Sequence, residues 1–124
     1  MKSDMEKGKG ILESKSFAFA IRIVKLNKYL VEDKKEFVLS KQILRSGTSI
    51  GANIAEAQYA QSKADFGAKM YISLKEANET RYWIQLLAAT EILKSEETVS
   101  LLDDCNEIIN LLIATCKTVL PRDY

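Results

Sequence analysis

Apolar residues recur at three- and four-residue spacing along most of this chain, in four stretches separated by short polar links. The first stretch, residues 14–31, carries Phe17, Ala20, Ile21, Val24 and Val31 on one side of a helix and Phe19, Ile23, Leu26 and Leu30 on the adjoining side. Only a narrow strip with Arg22, Lys25 and Tyr29 is left for water. An apolar arc that wide is more than a small monomeric bundle can cover, which predicts contact with a second copy. A second helix is predicted over 34–61, with Asp33 and Glu36 spaced as a capping box and Phe37, Leu39, Ile43, Leu44, Ile50 and Ile54 maintaining the period. A third runs over 63–90, capped by Ser62 and Asp65, with Phe66, Met70, Leu74, Ala77, Ile84 and Ala88 as its core stripe. A fourth covers 95–118, with Ser95 as N-cap, Glu96 and Glu97 at its positive end, and a broad band from Val99 to Cys116. Pro121 ends it.

The links are too short for anything but antiparallel neighbours. The expectation is an all-α fold, an antiparallel up-down-up-down four-helix bundle over residues 14–120. It has a flexible N-terminal arm of mixed charge at 1–13 and a C-terminal tail at 121–124.

The second helix is the unusual one. Gly47, Gly51 and Ala55 fall four residues apart on one face. Each glycine inside a helix costs about 1 kcal/mol relative to alanine, so a neighbouring backbone must come close enough to offset it. The same letters, Ser46-Gly47 and Ser49-Ile50-Gly51, also suit a turn. On the third helix, Tyr71, Tyr82 and Trp83 spread bulk outside the core stripe, among Lys75, Asn78, Glu79 and Arg81. Such a mixed aromatic and polar surface suits a subunit interface, the plainer alternative being rings that lie along the outer face with their polar edges in water.

Composition narrows the class. The chain has 124 residues, one proline, five glycines and 47% hydrophobic residues, enough for one helical domain. No uninterrupted apolar run is long enough to cross a membrane, and acids interrupt the first seven residues, so a soluble cytoplasmic protein is expected. Cys105 and Cys116, eleven apart on one helix, are about 16 Å apart along the axis and cannot pair with each other. They read as buried free thiols. Histidine is absent, which removes the commonest general base and transition-metal ligand. Asp103, Asp104 and Glu107 have metal-like spacing but lie on the polar side of their helix. No nucleophile has a base, and Gly47 and Gly51 lack the lysine of a phosphate loop. No catalytic residue, cofactor or metal is expected, and the protein reads as a non-enzyme.

Net charge is only +1, yet residues 1–45 hold eleven Lys or Arg against six acids, while 91–124 hold three against seven. Two readings follow. Arg22, Lys25, Lys28, Lys34, Lys35, Lys41 and Arg45 are candidate contacts to RNA or DNA. Alternatively they pair with acids such as Asp103, Asp104 and Glu107, within the bundle or on a neighbouring subunit, in a structural oligomer or an adaptor for protein partners only.

The segment Arg45-Ser46-Gly47-Thr48-Ser49-Ile50-Gly51-Ala52-Asn53-Ile54-Ala55-Glu56-Ala57, with Ser62-Lys63-Ala64-Asp65-Phe66 and the run from Leu74 to Trp83, resembles a bacterial family. This is the four helix bundle protein family, also called the 23S ribosomal RNA intervening-sequence proteins because some members are encoded in inserts within that rRNA gene. The likeness covers about residues 12–120. It implies an up-down-up-down bundle in a homopentameric ring, with no enzymatic role. Relatives that serve diversity-generating retroelements are similar, and these bind a reverse transcriptase and nucleic acid. The resemblance marks Arg45, Ser49, Asn53 and Glu56 as signature positions, and Asn78, Glu79 and Trp83 as a second set. Gly67 departs from the pattern, standing where close members tend to carry a larger apolar residue.

Overall fold

The computed structural model describes the backbone of residues 4–119 and the side chains of residues 10–119. Four helices follow in order: α1 Asp4–Glu32, α2 Leu39–Ala57, α3 Lys63–Ala89 and α4 Ser95–Val119. No strand occurs among the described residues. Cross-helix contacts give the direction of each rod. Asn27 meets Ser40 and Ile23 meets Gly47 across α1 and α2, Ser46 meets Thr80 and Ile50 meets Ser73 across α2 and α3, and Lys15 meets Glu107 where Arg22 meets Asp104 across α1 and α4. In each pair one number rises as the other falls, so neighbours are antiparallel. Helices α1 and α3 both touch α2 and α4 and sit on opposite corners.

The core is the inward side of each rod. Phe19, Ile23, Leu26 and Leu30 from α1 meet Ile43, Ile50 and Ile54 from α2, Met70, Ile84 and Leu87 from α3, and Leu101, Ile108 and Leu112 from α4, all at most 5% exposed. At about 25 cal/mol per Å² of apolar surface removed from water, these side chains supply the main force holding the bundle. The two halves of the apolar arc on α1 separate cleanly. Phe19, Ile23, Leu26 and Leu30 are buried, whereas Phe17 is 69% exposed, with Ile21 and Val24 also exposed.

Gly47 and Gly51 are helical, and α1 is the helix that approaches them, through the Ile23 side chain at Gly47 and through Ser16, its backbone included, at Gly51. A Cβ on Gly47 would stand 2.7 and 2.8 Å from the two γ-carbons of Ile23, closer than carbon atoms can approach. On Gly51 it would stand 3.4 Å from both the carbonyl and the hydroxyl oxygen of Ser16, an ordinary contact. The close approach is therefore obligatory at Gly47 and merely permitted at Gly51. Ala55, the third member of the row, is exposed.

Helix boundaries differ from the pattern at informative places. Helix α1 begins at Asp4, so residues 4–13 continue the rod, and Leu12 is buried at 3%. The rest of the expected arm, residues 1–3, and the expected tail, 121–124, lie outside the described residues. Helix α2 starts at Leu39, later than predicted, because Glu36 alone supplies the cap. Its carboxylate accepts from the backbone N–H of Val38 at 2.7 Å, of Leu39 at 2.6 Å and of Ser40 at 3.4 Å. Phe37 therefore stays in the link and is exposed. The cap of α3 is as predicted in outline, with Ser62 Oγ accepting from Asp65 N–H at 3.0 Å, but Asp65 reaches back to Gln61 N–H. Ser95 is the first residue of α4 and not its cap, the carbonyl of Lys94 accepting from Thr98 N–H at 2.9 Å.

The end of α3 is a Schellman turn. Ile92 N–H donates to Leu87 and Glu91 N–H to Ala88, each at 3.0 Å, and Glu91 takes the left-handed conformation, φ 62°, usually given to glycine.

The core stripe of α3 is also rotated from the predicted one. Ser73 and Thr80 are fully buried along with Met70, Ala77, Ile84 and Leu87, while Phe66, Leu74 and Ala88 are half-buried. Polar letters concealed this. The hydroxyl of Ser73 donates to the Ile50 carbonyl at 2.8 Å, and that of Thr80 lies 2.8 Å from the Glu76 carbonyl and 2.9 Å from Ser46 Oγ, so both are satisfied inside the α2–α3 seam.

Candidate interaction surfaces

The residues singled out in the sequence divide among a buried seam, a network that orients aromatics, two apolar corners and a lysine-bearing end. The network starts at Arg45, on the outer edge of α2. Its guanidinium bridges Glu76, at 3.1 Å, and Glu79 on α3, and Glu79 Oε2 accepts from the Trp83 indole N–H at 2.9 Å. Trp83 is half-buried and stacks with Tyr82, ring centroids 5.2 Å apart and planes 9° from parallel. Arg45 thus holds a carboxylate that holds a tryptophan, leaving Tyr82 52% exposed beside it.

Asn78 acts on the other side of the same helix face. Its amide N–H donates to the Leu74 carbonyl, and its oxygen accepts from Arg81, which also reaches Asn106 of α4. On α2, Ser49 Oγ donates to the Arg45 carbonyl at 2.6 Å, Asn53 donates to the Ser49 carbonyl at 2.8 Å, and Glu56 pairs with Lys69 at 3.5 Å. These polar positions tie α2 to α3 or cap their own turns.

The apolar corners are diagonal. On α1 Phe17, Ile21 and Val24 stand exposed beside a shallow groove of about 600 Å³, whose floor is made of small residues: Ser16, Ala20, Gly51, Ala52 and Ala55. On the α3 side, Ile72 and Tyr82 are exposed next to half-buried Tyr71 and Trp83; Val99 and Ile113 of α4 are exposed as well.

The seven basic candidates do not form one patch. Arg22 is spoken for: it lies 2.7 Å from Asp104 Oδ2 and 3.6 Å from Glu97, and donates to the Ser100 carbonyl. Arg45 is held as above. Lys15, which was not among the seven, pairs with Glu107. Basic α1 and acidic α4 therefore neutralise each other inside one subunit. Lys25, Lys28, Lys34, Lys35 and Lys41 are exposed and form no ion pair among the described residues. All five lie towards the end of the bundle that carries the α1–α2 link, where Lys34 stands 5.9 Å over the Tyr29 ring. Glu32, Asp33 and Glu91 are exposed at that same end and dilute the charge.

Chemistry is sparse elsewhere. Cys105 and Cys116 are free and buried. Burial pushes the Cys105 thiol up to about 12 against the opposing pull of Arg81, with Asp104 adding to the rise, and its Sγ lies 3.4 Å from the Ala77 carbonyl. A thiol in that state is a packing group and a weak donor. No cluster of three metal-ligating side chains occurs among the described residues, and no helix there is long and apolar enough to cross a membrane.

Sequence and structure comparisons agree with this architecture. A crystal structure from Bacteroides thetaiotaomicron, described as a protein of unknown function from the S23 ribosomal protein family, is similar to this chain at 56% identity and a TM-score of 0.87. The match covers 89% of this chain and 98% of that one. No protein of curated function matches. The model of the 23S rRNA-intervening sequence proteins matches residues 11–114, which spans α2 and α3 and most of α1 and α4, and the chain belongs to that family.

Proposed function

We propose that this protein is a non-catalytic, self-associating helical scaffold, a homo-oligomer in which the α1 corner of one copy meets the α3 corner of the next. The observation that carries the reading is the exposure of Phe17, Ile21 and Val24 on a helix whose other side is fully buried. A soluble surface that keeps such a strip beside a groove of small residues gains from covering it. The opposite corner offers large side chains, Tyr82 and Ile72, of the kind that fill grooves. Because the two corners are unlike and diagonal, their contact is head-to-tail, and such contacts close into a ring when the rotation from copy to copy closes, and otherwise run on as an open filament. Five copies is the number the family resemblance suggests. The Arg45–Glu79–Trp83 network has a clear task in this arrangement: it fixes the aromatic side before a second copy arrives, so little side-chain freedom is lost on association.

A second reading, contact with RNA or DNA, is favoured by the five exposed lysines at one end and by the family's ribosomal RNA association in name. Repeated around a ring, that end would present the same lysines on every copy. An adaptor for protein partners, such as a polymerase that works on nucleic acid, would use the same ring without that affinity.

Light scattering after size exclusion separates these readings, run with and without a single-stranded RNA at low and moderate salt. Scaffold assembly predicts a mass several times 14.0 kDa in every condition. Nucleic-acid contact predicts an added mass that is lost as salt rises. A 14.0 kDa species that ignores RNA throughout would contradict both.

A further inference from the structure

The α1–α4 seam is the most sparsely packed of the four, and it opens at the lysine-bearing end into a cleft of about 350 Å³. Leu26 and Leu93, both buried at 5%, form its apolar floor, and Tyr29 lines it. The charged lining is Arg22, Lys25, Lys94 and Glu97. Arg22 and Glu97 face each other at 3.6 Å, and Arg22 is held more tightly by Asp104. That leaves Lys25 and Lys94, both exposed, as cations with no ion pair among the described residues. A further ammonium, that of Lys34, stands by the Tyr29 ring.

A guest that satisfies this lining must join an anion to a flat, largely apolar ring. A bare metal cation is repelled by the lysines, and a neutral apolar guest leaves them unused. The volume is at the low end for small-ligand sites, roughly 300 Å³ and upwards, which suits one nucleotide and excludes a duplex. Aromatic side chains next to cations are how unpaired bases are held without reading their sequence. We propose that this cleft binds a single nucleotide, its base against Tyr29, Leu26 and Leu93 and its phosphate between Lys25 and Lys94. A free mononucleotide and one unpaired residue of a strand present the same chemistry. The cleft lies between α1 and α4, whereas the groove beside Phe17 lies between α1 and α2, and the proposal rests on and deepens the nucleic-acid reading by naming the unit recognised.

Saturation-transfer NMR on the full-length protein tests it, with AMP, adenosine and a short single-stranded oligoadenylate as probes. The expected result is transfer to the base protons of AMP, adenosine binding at least about tenfold more weakly, and a similar loss of AMP binding in the Lys25→Ala/Lys94→Ala double variant. Lys63→Ala, an exposed lysine at the start of α3, leaves AMP binding unchanged. A circular dichroism melt of each variant confirms that these surface changes leave the fold intact. Absence of transfer to AMP, or equal AMP binding by the double variant, overturns the proposal. Competition of oligoadenylate with AMP assigns the site to a strand, and its absence assigns the site to free nucleotide. RNA binding that survives the double variant, with no transfer to AMP, removes this site while leaving the broader nucleic-acid reading in place.

Discussion

The inward and outward sides of α1 are built from the same letters and meet different fates. Ile23 on the inward side is fully buried and presses on Gly47; Ile21, two residues earlier, stands in the open with Phe17 and Val24. Burial of the first set explains the fold. Nothing within one subunit explains the second, and in this account its explanation is another copy. A helix that is apolar nearly all round belongs in an interior, and the proposed scaffold would make that interior quaternary for half of α1.

Truncating one residue on each side gives the widest contrast. Ile23→Ala should lower the unfolding free energy by about 2–5 kcal/mol in urea denaturation, the range for an aliphatic core residue reduced to alanine. Phe17→Ala should cost the isolated subunit less than about 0.5 kcal/mol when measured at high dilution, as surface changes do. Equal losses would mean that the two sides are not different in kind.

The glycines sharpen the same contrast at smaller scale. Gly47→Ala places a methyl group against Ile23 and should destabilise by about 1–3 kcal/mol, the usual range for overpacking a filled core. Gly51→Ala meets Ser16 at an ordinary distance and gains helix propensity, so subunit stability should rise by up to about 1 kcal/mol. Thermal melts of the two variants should therefore shift in opposite directions. A modest gain is expected at the end of α3, far from this contrast: Glu91→Gly relieves a left-handed φ of 62° and should add about 0.5–1 kcal/mol. A drop in melting temperature would show that Glu91 does something other than turn the chain.

Periodicity made the four rods and their order legible, since each buried face repeats at helical spacing. It also marked an apolar arc on α1 wider than the side the subunit buries, Phe17, Ile21 and Val24 being exposed. Three things escaped it. The N-terminal part of α1 carries mixed charges without a period, yet an established helix extends at little cost and Leu12 finds the core. The later part of the α1–α2 link was read as helix because Phe37 keeps the spacing, while the competition of the Glu36 carboxylate for the amides of Val38, Leu39 and Ser40 is a matter of geometry. Ser73 and Thr80 looked like surface because a buried hydroxyl is spelled the same way as an exposed one, and only a partner across the seam tells them apart. The partners of Arg22 and Arg45 were hidden for a related reason. Charge counts showed that basic and acidic segments could meet, and which arginine meets which carboxylate depends on a register of helices more than 30 residues apart in the chain.

The central claim is that the outward side of α1 is a contact between copies. Sedimentation velocity of the wild-type chain beside the Phe17→Glu/Ile21→Glu variant tests it most directly, with helicity and melting recorded on the same samples. The account predicts an oligomer for the wild type and a folded 14.0 kDa monomer for the variant. A wild-type monomer at every concentration, or a variant that assembles as the wild type does, would contradict it.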